Sequence, residues 1–132
     1  MTKNTVAYAI AQFERALTRL LEAIHEAADG NVLKQDGAIQ RFEFTFELLW
    51  KMLKVYLEFQ GVQARNPRDV LKAAFRQQLL DDETTYLTML DDRNLCSHVY
   101  DEKTVRQVFG RIQQRYCDCL TALLTGMKAR AQ

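Results

Sequence analysis

Arg93, Asn94, Ser97, His98 and Tyr100 fall within the eight residues RNLCSHVY. Together they supply a permanent cation, a group that titrates near neutral pH and three hydrogen-bonding side chains. A guanidinium presents forked donors suited to phosphate, and an imidazole can give or take a proton at cellular pH. These are the group types of anion binding and proton transfer. Spacing limits how they can act. Asn94 and His98 stand four apart, as do Arg93 and Ser97, so each pair shares one side of a helix. Arg93 and His98 stand five apart, roughly 140° around an ideal helix. They converge on one small target only where the helix ends or tightens, or where a second copy of the chain supplies one of them. Each residue also has a plain structural reading: His98 as a capping or packing group, Arg93 as an ion-pair partner of the adjacent Asp91 and Asp92, Tyr100 as a cover over the end of the core. His25, the other histidine, has no such companions and reads as structural.

The elements that must position these residues are all helical. The motif closes a helix that opens at an Asp81-Asp82 cap and turns Tyr86, Met89 and Leu90 inward. Arg93 continues that face, and an arginine on a core stripe must be paired or look into a groove. Asp101 reads as the N-cap of the next helix, so the motif helix ends nearby. That next helix, roughly 102 to 124, carries Val105, Val108, Phe109, Ile112, Tyr116, Cys119, Leu120 and Leu123 on one face, with Gly126 following it. The first helix repeats the pattern with Val6, Ile10, Phe13, Leu17, Leu20, Leu21 and Ile24, and stops near Gly30. A short helix opens at Asn66-Pro67-Arg68-Asp69, with asparagine as cap and proline in the first turn. The second helix differs. Phe42, Phe46, Leu49, Leu53 and Tyr56 make one stripe, and Phe44, Leu48, Met52, Val55 and Phe59 make another. The two merge into an apolar arc of roughly 240°, leaving Glu43, Glu47, Lys51, Lys54 and Glu58 as a wet edge. Such a helix is central in its bundle or lies at an interface with another chain, and the interface is the expectation, which implies a homodimer. The fold class is all-α: an up-and-down four-helix bundle with one additional short helix, spanning residues 1–132 as one domain.

Bulk properties exclude several classes. At 132 residues, 48% hydrophobic and 27% charged, the chain is an ordinary globular one. It has no run of the ~20 apolar residues that spans a bilayer and no signal peptide at its N-terminus, so no membrane partner is expected and the cytoplasm is the expected compartment. Cys96, Cys117 and Cys119 have neither zinc nor disulfide spacing, and neither a metal nor another cofactor is implied. The net charge of +1 makes no case for bulk nucleic-acid binding. Lys103, Arg106, Arg111, Arg115, Lys128 and Arg130 do give the C-terminal helix a basic bias. That bias is compatible with RNA, or is simply a solvated helix face. Glycine-rich phosphate loops, H-E-x-x-H, G-x-S-x-G and the carboxylate pattern of a nucleotidyltransferase are all missing from the sequence.

The set R-x4-H-x-Y, here Arg93, His98 and Tyr100, resembles the signature of HEPN domains that accompany minimal nucleotidyltransferases. The stretches RFEFTFELLWKMLKVYLE, NPRDVLKAAF and LTMLDDRNLCSHVYDE are similar to the family of nucleotidyltransferase substrate-binding proteins, over roughly Val6 to Leu124. The resemblance implies a HEPN-like fold, dimers whose two motifs meet at a shared cleft, and one of two functions. In the first, the chain is the toxin of a two-gene toxin–antitoxin module. It would be a metal-independent ribonuclease acting on RNA, tRNA among the candidates, and a separately encoded minimal nucleotidyltransferase would neutralise it by attaching AMP to the motif tyrosine. Arg93 and His98 would then be catalytic, Tyr100 the modification site, and Asn94 and Ser97 substrate-binding. In the second, the chain is a non-catalytic substrate- or nucleotide-binding subunit of such a nucleotidyltransferase.

Overall fold

The computed structural model describes residues 3–96 and 101–131. The chain order is α1 (Lys3–Glu26), a 3-10 turn (Ala27–Asp29), α2 (Val32–Phe59), α3 (Pro67–Arg76), α4 (Glu83–Cys96), α5 (Glu102–Arg111), a π-helical turn (Ile112–Tyr116) and α6 (Cys117–Arg130). The backbone stays helical from α5 through the π turn into α6, so the last three elements form one rod. No strand occurs among the described residues. The bundle thus has four principal helical rods and the short α3, the all-α arrangement the sequence implies.

The caps explain where the helices begin. Asn31 accepts from Lys34 N at 3.0 Å, Asn66 from Asp69 N at 2.9 Å, Asp82 from Thr85 N at 3.1 Å and Asp101 from Thr104 N at 2.7 Å. Each such bond satisfies an orphan backbone donor and contributes about 1 kcal/mol. Gly30, in the left-handed region at φ 87°, ends the first rod.

One cluster of buried side chains runs through all the rods, from Val6 and Phe13 of α1 to Leu120 and Met127 of α6. α2 lies at its centre, packing along α1 and touching α3, α4 and α5. Its two apolar stripes separate. Phe42, Phe46, Leu49 and Leu53 are buried, and Met52 joins them at 1% exposed, so Met52 is a core residue rather than part of an outward stripe. Phe44 and Phe59 of the second stripe remain 59% and 46% exposed. Leu21 of α1 marks the outer edge of its stripe and is exposed. α6 runs through Gly126 to Arg130 rather than stopping before the glycine, because Met127, one turn beyond Leu123, packs into the core. Burial of that side chain outweighs the roughly 0.5–1 kcal/mol that a helical glycine costs.

Candidate active site

Arg93 enters the angle between α4 and α2. Its Nη1 donates to Glu47 Oε2 at 2.9 Å, and its guanidinium carbon lies 5.8 Å from the centre of the Phe46 ring. With its side chain 25% exposed, Arg93 extends the buried Tyr86, Met89 and Leu90 face of α4 as an ion-paired residue. The partner is 46 residues away in sequence, on α2, and not the adjacent Asp91 or Asp92. Glu47 is itself held: Trp50 Nε1 donates to the same Oε2 at 3.0 Å, and Lys51 Nζ stands 3.4 Å from Oε1. A carboxylate fixed by several donors fixes the guanidinium in turn, and the aromatic face beneath adds a cation–π contact. An anion approaching Arg93 therefore meets a cation of set direction, already shared with Glu47.

One turn earlier on α2, Glu43 turns to the same side. Its Oε1 is shut off from water and has no hydrogen-bond partner among the described residues. Burial pushes this carboxyl above the usual glutamate range, with Asp36 adding to the effect, while the nearby Arg93 pulls it back. Glu43 and Glu47 belong to the edge that the sequence marks as merely wet. Two carboxyl groups of α2 instead stand within electrostatic reach of the motif arginine.

The two acids before Arg93 look elsewhere. Asp92 is 4% exposed. Arg111 grips it with Nε at 2.8 Å and Nη2 at 2.6 Å, and the Tyr116 hydroxyl donates to Oδ2 at 2.5 Å. Arg111 and Tyr116 are five residues apart, the repeat of a π turn, and the turn at Ile112–Tyr116 brings both onto one side. Burial and the Asp92 carboxylate push the Tyr116 hydroxyl well above the usual phenol range, so it stays a donor. Asp91 reaches Arg68 of α3 at 3.5 Å. Three successive residues thus fasten the end of α4 to three different neighbours: Asp91 to α3, Asp92 to the α5 rod and Arg93 to α2. The π turn also rotates the inward face of the rod, so that Cys117 is buried and Cys119 only half-buried, the reverse of an uninterrupted stripe.

Of the other motif residues, Asn94 is exposed on the last turn of α4. Ser97, His98 and Tyr100 lie outside the described residues. The basic bias of the C-terminal rod is largely spent inside the molecule. Arg106 pairs with Glu102, Arg111 with Asp92, Arg115 with Asp82 and Lys128 with Glu14, while Arg130 donates to the Gln78 carbonyl. No helix among the described residues is long and apolar enough to cross a membrane.

Comparison with known proteins places this geometry in context. The model of a family described as nucleotidyltransferase substrate binding protein like matches residues 8–129. A Haemophilus influenzae protein named probable ribonuclease HepT is 36% identical over 81 residues, covering 58% of this chain and 56% of that protein. The chain thus spans about half the length of this named relative. A crystal structure from Thermus thermophilus superposes with a TM-score of 0.76 at 35% identity, covering 91% of this chain and 98% of the other. A Haemophilus influenzae structure, described as revealing the fold of a substrate-binding domain of a nucleotidyltransferase, superposes with a TM-score of 0.68 at 26% identity, covering 96% and 99%.

Proposed function

The chain belongs to the family of nucleotidyltransferase substrate-binding-like proteins, with a HEPN-type fold, and from that premise we propose that it is a metal-independent ribonuclease working beside a nucleotidyltransferase. The observation that carries this reading is the setting of Arg93. It is directed by Glu47 and Phe46, and it immediately precedes the stretch that holds Ser97, His98 and Tyr100. The relative named as a probable ribonuclease supports the same reading.

In that chemistry the 2′-hydroxyl of RNA attacks the adjacent phosphorus, and the 5′-oxygen leaves with a proton. His98 takes the proton from one or gives it to the other. Arg93 stabilises the charge that builds on the phosphoryl oxygens. Asn94 and Ser97 contact the substrate. One chain offers one motif histidine, so a homodimer that brings two motifs to one cleft supplies both proton-transfer roles. The exposed Phe44 of α2, one turn before Glu47, supports an interface on that side. The partner nucleotidyltransferase transfers AMP from ATP to the Tyr100 hydroxyl, which loses its proton as pyrophosphate leaves. The added phosphodiester and nucleoside would repel and block RNA two residues from His98.

His98→Ala should leave the fold and assembly intact while cleavage of RNA drops by about 10²-fold or more, the range of a lost general acid–base. Undiminished cleavage would remove His98 from the mechanism. The binding-subunit alternative is favoured by the family description. It predicts a stable complex with the nucleotidyltransferase, no change in the mass of Tyr100, and no cleavage in the parent protein.

A further inference from the structure

Eight of the chain's 18 lysines and arginines are ion-paired among the described residues, and four of the others stand together on one face. Lys54 of α2, Arg65 of the following loop, and Lys72 and Arg76 of α3 make no ion pair with any described residue. They line two adjoining open grooves of about 540 and 420 Å³ that share Gln63, Ala64 and Arg65. Glu58 and Asp69 are the acids there, and Asp69 already accepts from Asn66 Nδ2 at 3.0 Å. Four cations against two carboxylates leave a local charge of +2, more than the +1 of the whole chain.

The lining names the partner. It contains no large aliphatic or aromatic side chain, so it lacks the apolar centre on which a protein partner would pack. Unpaired cations along an open polar trough suit a repeating phosphate backbone. Phe75, 41% exposed, stands three residues after Lys72 and next to Arg76, so it shares the outer face of α3 with them. An exposed ring beside a basic trough is the arrangement on which unpaired bases stack. Three residues after Arg65, Arg68 reaches Asp91 and so ties this face to α4.

We propose that this trough, with Arg65, Lys72 and Arg76 as its main contacts and Lys54 opposite, holds the backbone of single-stranded RNA and leads it to the motif at the end of α4. The proposal rests on the ribonuclease reading above and assigns that reaction a docking surface. The test uses the full chain carrying His98→Ala, to prevent cleavage, and a fluorescein-labelled oligouridylate whose anisotropy reports binding at several salt concentrations. Adding Arg65→Gln, Lys72→Gln and Arg76→Gln together should weaken binding at least tenfold. It should also flatten the plot of log K against log salt by about two, since each phosphate contact on a single strand contributes about 0.7. The same three substitutions in the His98-bearing chain should raise the KM for RNA more than they lower kcat. The side chains are exposed or half-exposed, so the helical circular-dichroism melt should not move. Unchanged affinity and slope would overturn the trough while leaving the ribonuclease standing. A parent chain that neither binds nor cuts RNA would overturn both. Intact RNA binding with lost binding of the partner nucleotidyltransferase would overturn the proposal in favour of a protein-docking face.

Discussion

Asp92 carries more of the site's geometry than its exposed neighbours, because its carboxylate is nearly enclosed and accepts from three donor groups of another rod. Asp92→Ala would leave the Tyr116 hydroxyl buried without an acceptor and Arg111 without its counter-charge. The expected loss is about 2–4 kcal/mol, read from urea unfolding, with Asp92→Asn milder because it keeps the shape. A loss under about 0.5 kcal/mol would mean that the bonds to Asp92 contribute little net stability. The sequence makes visible that Arg93 needs a partner, but it suggests the wrong ones. Adjacent residues point about 100° apart on a helix, so Asp91, Asp92 and Arg93 face three ways and meet three different elements. Glu47 could have been suspected from its place beside Trp50 and Lys51, yet nothing in a linear pattern says which helix faces α4 at that level.

Helix limits were far easier to read. Asn66, Asp82 and Asp101 announce their helices through side-chain chemistry that acts over three residues, and local chemistry is what a sequence records best. Glycines are ambiguous because the same residue ends a helix or is tolerated inside one. Gly30 and Gly61 have φ of 87° and 84°, and an added Cβ there is strained. Gly126 sits within α6, and a Cβ built on it meets nothing within 4 Å. Gly126→Ala should therefore raise stability by about 0.5–1 kcal/mol, and Gly30→Ala should lower it by about 1 kcal/mol. Thermal melts of the two variants should move in opposite directions. If Gly126→Ala also melts earlier, the helix does not continue through that position.

At the scale of the whole molecule, the apolar excess on α2 divides between a central core position and an outward remainder. Leu33 and Phe44 stand eleven residues apart on α2, just over three full turns, and are 78% and 59% exposed. Phe44→Glu is expected to convert the proposed homodimer to monomers in light scattering, with helical content unchanged. A persistent dimer would move the interface elsewhere. The periodicity of the sequence could reveal the excess but not its division, since burial of Met52 depends on where the other rods lie. The last rod poses a related problem, because two masters set its rotation. Its first half meets α2 and offers Arg111 to Asp92, and its second half lies along α1 and joins Lys128 to Glu14. The π turn is a phase offset between two screws on one shaft, letting each half settle to its own neighbour. Chain length is consequently fixed across residues 112–116 as it is not in the loop at 60–66. One residue lost from the rod would put both settings out of step, however conservative the residues that remain.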